Sequence, residues 1–129
     1  MNNLIHATTR ENAVSIKENG FLIAKAEYPH RFGYGVYFMT SEEYGYGNET
    51  YSRVYCSVDD SYILHLTHDE IRLMYPELDI EYQEGGAPEL IDYVLSNGYK
   101  AVEISYEDET SEVVVYDVGI IEYNSFDFR

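Results

Sequence analysis

Residues 111–117 have the sequence SEVVVYD, and this stretch decides the fold class. It contains the most apolar run of the chain, and its β-branched residues predict a strand over residues 112–118. Glu112 lies at the mouth of that strand. Its carboxylate is either a solvated strand end, which is the commoner case, or a group held at the rim of a cleft to face a developing positive charge.

Other strands are predicted on both sides of this one. Residues 53–58 and 62–66 flank the turn sequence Asp59-Asp60-Ser61, which predicts a hairpin-like pair. Residues 106–111 form an acidic turn before the last long strand. The remaining strands or extended segments are expected at residues 4–7, 21–24, 36–39, 101–105 and 120–123.

Three short helices are predicted between the strands. The first spans about residues 9–19, with a capping box at Thr8 and Glu11 and a stop at Asn19-Gly20. The others span residues 67–75, with a second capping box, and 88–97, which starts at a proline. A further short helix is expected to start at Ser41, and residues 77–87 are expected to form an acidic loop. This order predicts an α+β fold.

Length and composition limit the classes of protein to consider. The chain has 129 residues, which predicts one domain over residues 1–129. Its 24 acidic and 8 basic residues give a net charge of −16, which would repel a phosphate backbone and favour basic partners, although a solubility adaptation explains it equally well. No apolar run approaches the roughly 18 residues of a membrane span, and no secretory signal is seen. We therefore expect a cytoplasmic protein in which the lone Cys56 is a core residue.

Two further polar positions stand inside apolar, strand-like sequence. His6 lies in LIHAT, residues 4–8, where it is either a core histidine or a ligand-binding one. Tyr37 lies in FGYGVYF, residues 32–38, where it either packs in the core or offers an aromatic face to a planar cationic ring. The glycines of that segment allow close approach of a ligand, but a third is missing, so the dinucleotide fingerprint is not met. No metal site is predicted, because His65 and His68 lie across a strand-to-helix boundary.

Taken in order, these pieces resemble the His-Tyr-Glu ADP-ribosyltransferases of the diphtheria-toxin and poly(ADP-ribose) polymerase type. That family has a His-Gly-Thr/Ser strand, a helix ending in Gly-Leu or Gly-Phe, a Phe-Gly-x-Gly-(Ile/Val)-Tyr-Phe segment and a Glu-Tyr-(Ile/Val)-Val-Tyr-Asp strand. The matching segments here are residues 4–8, 19–21, 32–38 and 112–117. The resemblance implies an ADP-ribosyltransferase-like split β-sheet core with three short helices, and NAD+ as co-substrate without a metal.

The resemblance also implies residue roles. His6, helped by Thr8, would bond the adenosine-side ribose, and the backbone of Ala7, where the family has glycine, would hold the nicotinamide amide. Tyr37 would stack on nicotinamide, and Glu112 would bond the nicotinamide-side ribose and stabilise an oxocarbenium-like transition state. The implied catalytic residues are Glu112, His6 and Tyr37. The implied NAD+-binding residues are His6, Ala7, Thr8, Gly35, Tyr37 and a second stacking tyrosine, either Tyr44 or Tyr46.

The implied activity is mono-ADP-ribosylation of a protein. The net charge favours a basic, nucleic-acid-binding acceptor, such as a host defence complex targeted by a phage or toxin effector of the anti-CRISPR kind. Thr110 stands where arginine-directed transferases carry a second acidic residue, which disfavours an arginine acceptor. Three alternatives stay open: NAD+ glycohydrolysis, RNA 2′-phosphotransfer, which the scarcity of basic residues disfavours, and a non-enzymatic acidic mimic of nucleic acid that blocks a basic groove.

Overall fold

A seven-stranded sheet with three α-helices forms the part of the chain that the structure, a computed structural model, describes: residues 1–23, 32–42, 49–76 and 87–129. The fold is therefore α+β, as the sequence predicts. The helices are α1 (Arg10–Asn19), α2 (His68–Met74) and α3 (Pro88–Ser96). The strands are β1 (Leu4–Thr8), β2 (Val36–Met39), β3 (Ser52–Ser57), β4 (Ile63–Thr67), β5 (Ala101–Ser105), β6 (Ser111–Val115) and β7 (Glu122–Asp127).

The sheet has the strand order β4-β5-β6-β2-β1-β3-β7. β4 and β5 are parallel and all other neighbours are antiparallel. β2 pairs with β6 over four residues, and β1 pairs with β3 over five. In contrast, β1 and β2 are joined by the single pair Ile5–Met39. The sheet is therefore weakly connected at its middle, and the two strands are unpaired with each other beyond that point.

The predicted hairpin of residues 53–58 and 62–66 is wrong. The strands form at β3 and β4, but β3 pairs with β1 and β7, whereas β4 lies at the opposite edge of the sheet beside β5. Between them, Asp59 caps a short 3₁₀ helix at Asp60–Tyr62 by accepting from the Ser61 amide. Because β1 and β7 already bond both edges of β3, no edge remains for β4 to pair with.

The helix ends follow local rules. Thr67 and Glu70 form the predicted capping box of α2, and Gly20 stops α1 with φ +77°. The predicted cap of α1 at Thr8 is wrong by one residue: Thr9 accepts from the Asn12 amide at 3.2 Å. Thr8 instead stays in β1, paired with Ser52, because the strand continues one residue further than the capping pattern predicts.

Two apolar cores cover the sheet. On the side packed against α1, here called the α1 face, the core contains Leu4, Phe21, Val36, Phe38 and Val113 among others. On the opposite face, Val102, Ile104 and Val114 pack against α2 and α3, and Ile5, Ala7 and Met39 form a smaller cluster. Residues alternate between the two faces along each strand, as the pleat requires.

Several predicted strands have other bounds in the structure than the sequence predicts. Residues 21–23 carry no strand, the last long strand ends at Val115, and β7 is longer than expected. Most of the helix predicted to start at Ser41, and all but the last residue of the acidic loop at 77–87, lie outside the described residues.

Cys56 is fully buried, as predicted, and burial raises its thiol pKa to about 12. None of the described helices combines the length and the apolar character that crossing a membrane requires.

Candidate functional site

The strands that carry Glu112, Tyr37 and His6 are consecutive in the sheet, in the order β6-β2-β1. β2 and β6 are held in register by the pairs Tyr37–Val114 and Met39–Glu112. The sheet topology thus brings three segments that are remote in sequence onto neighbouring strands at its weakly connected middle.

His6 is anchored to β2 by a hydrogen bond of 2.8 Å between its Nδ1 and the carbonyl oxygen of Tyr37. A carbonyl oxygen only accepts, so Nδ1 carries the proton and Nε2 of the neutral ring is an acceptor. The imidazole packs edge-on against Phe21 and Phe38, with ring centroids 5.0 and 6.0 Å away. These contacts place the ring on the α1 face, in a fixed orientation and tautomer.

Tyr37 is held by the segment before its own strand. Its hydroxyl accepts from the Phe32 amide at 2.9 Å and donates to the Gly33 carbonyl at 2.8 Å. The hydroxyl of Tyr116 donates to the Phe32 carbonyl at 2.6 Å. Burial is the main cause that raises the pKa of Tyr116 well above 10.0, so this hydroxyl stays protonated. The two tyrosines together fix the chain around residues 32–33 against the sheet.

Glu112 lies near the start of β6, between Met39 of β2 and Ile104 of β5. Its side chain is partly buried, and Oε1 accepts a hydrogen bond of 3.3 Å from the Tyr106 hydroxyl. Alternation along β6 puts Glu112 on the same face as Val114, which pairs with Tyr37. Glu112 and Tyr37 therefore share the face opposite to α1.

The candidate residues thus divide between the two faces. His6 and Thr8 belong to the α1 face, whereas Ala7, Tyr37 and Glu112 belong to the opposite face. The first set contains the residues expected at the adenosine side of NAD+, and the second contains those expected at its nicotinamide side. Glu112 pairs with Met39, the residue through which β2 joins β1 at Ile5.

A cavity of about 240 Å³ lies on the α1 face, where β1 ends and β2 begins. His6, Thr8 and Gly35 line it, which brings together three of the residues predicted from the sequence. Tyr37 and Glu112 are not among its lining residues. Asn12 also lines it and donates from Nδ2 to the Thr8 hydroxyl at 3.2 Å. Asn12 was not identified from the sequence. Its position three residues after a helix cap, on the first turn beside the LIHAT strand, could have indicated that its side chain lies near Thr8.

The backbone at Gly35 lies close to β6. A Cβ atom there would be 2.8 Å from both Val114 Cγ1 and the Val115 carbonyl oxygen. The glycine thus lets β2 start against the neighbouring strand while bordering the cavity. Tyr44 and Tyr46, predicted as alternatives for the second stacking ring, lie outside the described residues.

The described ranges contain no group of three or more His, Cys, Asp or Glu side chains arranged to hold a metal ion. No protein-family model matches the chain, and a search of curated proteins found no match.

The buried imidazole leads to a prediction about pH. Burial lowers the pKa of His6 below its ordinary value of 6.5, and the hydrogen bond to the Tyr37 carbonyl opposes this. As the pH falls below 6.5, the unfolded chain therefore binds more protons at His6 than the folded chain, and the free energy of unfolding falls. We expect this loss, between about pH 7.5 and about pH 5.5, to be larger in the wild type than in His6→Asn, whose amide nitrogen can still donate. Urea unfolding at a series of pH values measures it, and parallel profiles would contradict it.

Proposed function

We propose that the protein is a mono-ADP-ribosyltransferase of the His-Tyr-Glu type, with an ADP-ribosyltransferase-like fold divided at the β1–β2 junction. The observation that carries the proposal is the strand order β6-β2-β1, which makes the strands of Glu112, Tyr37 and His6 neighbours in the sheet. His6 and Thr8 lie on one face of the sheet, and Ala7, Tyr37 and Glu112 lie on the other, so a single NAD+ would have to contact both faces.

In this proposal NAD+ binds where β1 ends and β2 begins, and it passes around that end of the two strands from one face to the other. The adenosine half occupies the cavity beside α1, where Nε2 of His6 accepts from a ribose hydroxyl and Asn12 and Thr8 supply further polar groups. The nicotinamide half lies on the opposite face, beside the Ala7 backbone and the ring of Tyr37. Gly35 borders the cavity and lets the start of β2 lie close against β6, where a side chain would clash.

The reaction breaks the bond between C1′ of the nicotinamide-side ribose and the ring nitrogen. The bonding electron pair goes to that nitrogen, which neutralises nicotinamide, and the ribose develops positive charge. Glu112 stabilises this charge as a fixed carboxylate, an electrostatic effect of the kind that lowers barriers by several kcal/mol. A nucleophilic side chain of the acceptor then bonds to C1′ and loses its proton to solvent.

The acceptor is proposed to be a basic protein. With a net charge of −16, the protein attracts positively charged surfaces and repels nucleic-acid phosphates. Encounter with a basic acceptor would therefore be fast at low ionic strength and slower as salt screens the charges.

The first test of the proposal is binding of NAD+. A ligand at about 100 times its Kd stabilises the native state by about 2.7 kcal/mol, which corresponds to a rise of several degrees in Tm for a domain of this size. We expect such a rise with NAD+, and a smaller one with AMP, which lacks the nicotinamide half. An unchanged Tm at millimolar NAD+ would count against the proposal.

The second test separates transfer from its alternatives. The protein is incubated with NAD+ labelled in the adenylate, with and without histones and a whole-cell lysate, and nicotinamide release is measured in parallel. Label on protein supports transfer. Nicotinamide release without protein label indicates an NAD+ glycohydrolase. Neither label nor release, together with salt-sensitive binding to a basic protein, would favour the acidic mimic of nucleic acid.

A further inference from the structure

Tyr106 lies at the junction between β5 and the turn that leads into β6. Its backbone closes this turn: the Tyr106 amide donates to the Thr110 carbonyl at 2.9 Å, and the Glu109 amide donates to the Tyr106 carbonyl at 3.1 Å. Glu109 has φ +67°, which gives the turn its reversal. The backbone of Tyr106 is therefore fixed relative to the start of β6.

The register directs the Tyr106 side chain toward Glu112. Ile104 pairs with Glu112 across β5 and β6, and Tyr106 follows Ile104 by two residues on the same face. The Tyr106 hydroxyl donates to Glu112 Oε1 at 3.3 Å. Its ring lies 5.1 Å from that of His68 and packs against the core that contains Ile104 and Val114. A ring packed in this way holds its hydroxyl at a defined point.

We propose that Tyr106 is a positioning residue for Glu112; this inference rests on the proposed function. A glutamate side chain has three rotatable bonds, and its charge stabilises an oxocarbenium-like centre only when it is held at the right distance. The hydroxyl of Tyr106 restricts the position of the Glu112 carboxylate. The resemblance to known transferases does not include this residue, and sequence reasoning did not single it out.

The test compares Tyr106→Phe with the wild type in NAD+ cleavage. Removal of only the hydroxyl keeps the ring, which also borders a cavity between α2 and the β5–β6 turn that a smaller side chain would enlarge. We expect kcat for nicotinamide release to fall about five- to tenfold while KM for NAD+ stays unchanged, because a hydrogen bond of 3.3 Å is long for a hydroxyl donor and has about the strength of an ordinary neutral one. A purely structural role would instead lower Tm and change kcat and KM together.

Two controls make the result specific. In the Glu112→Gln background, Tyr106→Phe should have no further effect on kcat, because the group that it positions has already lost its charge. Tyr75→Phe is the matched control, since the Tyr75 hydroxyl donates to the Glu89 carbonyl at 3.2 Å and its ring packs against the same core. We expect that variant to keep the wild-type kcat.

The outcomes distinguish this inference from the proposed function. If the wild type cleaves NAD+ and Tyr106→Phe keeps its kcat, or loses as much activity in the Glu112→Gln background as alone, the positioning role is wrong and the proposed function stands. If the wild type neither binds nor cleaves NAD+, both are wrong. If Tyr106→Phe does not fold, 4-aminophenylalanine at residue 106 restores a donor, and a wild-type kcat in that variant supports the inference whereas a loss overturns it.

Discussion

Replacing Glu112 by Gln is expected to lower kcat for nicotinamide release about a hundred- to a thousandfold, while NAD+ still raises Tm. The proposed role of Glu112 is electrostatic, and removal of one pre-placed charge or donor at a reacting centre costs about this much. Gln has the same shape and still accepts from the Tyr106 hydroxyl, so the fold and the hydrogen bond of 3.3 Å can persist. Steady-state kinetics and thermal shift on the same preparation measure both effects.

Glu109→Gln is the matched control for this prediction. Glu109 is exposed in the turn three residues before Glu112, and its substitution changes the net charge by the same amount. We expect it to leave kcat within about twofold of the wild type, because an exposed carboxylate is screened by solvent. Full turnover by Glu112→Gln, or an equal loss in both variants, would show that Glu112 has no catalytic role.

Gly35→Ala is expected to destabilise the protein by about 3 kcal/mol, near the upper end for an overpacked site. The added methyl would lie 2.8 Å from Val114 Cγ1, 2.8 Å from the Val115 carbonyl oxygen and 3.2 Å from a ring carbon of Tyr116. Since one of these atoms belongs to the backbone of a central strand, relief requires movement of β2 away from β6. Urea unfolding measures the loss.

Gly98→Ala separates the effect of contact from that of backbone conformation. Gly98 has φ +86°, and a Cβ there would meet no atom within 4 Å. We therefore expect only the cost of a left-handed backbone, about 1 kcal/mol. If Gly35→Ala were no more destabilising than Gly98→Ala, the close approach of β2 to β6 would be contradicted.

Local pattern was sufficient to predict the three α-helices and most of the strands. The β-branched run of β6, the capping box at Thr67 and Glu70, and the proline that opens α3 each act through neighbours in sequence. The α+β class follows from their order. The errors at these elements are small, such as the cap of α1 at Thr9 rather than Thr8, where strand pairing with Ser52 extends β1 by one residue.

Pairing was less predictable, because it depends on which strand edges are already occupied. A short turn between β3 and β4 predicts a hairpin, yet β4 joins β5 at the far edge of the sheet and β3 is enclosed by β1 and β7. No local feature of residues 52–67 carries that information. It arises from the number of strands that compete for each edge and from the cores that they bury.

The sequence by itself determined most of the secondary structure, the negative charge and the identity of His6, Tyr37 and Glu112 as candidates, because each depends on residue type and short-range spacing. Only the tertiary structure decided that their strands are neighbours, that their side chains divide between two faces, and that the Tyr106 hydroxyl reaches Glu112. Those relations depend on strand register and on pairing between segments that are remote in sequence, and local spacing does not encode them.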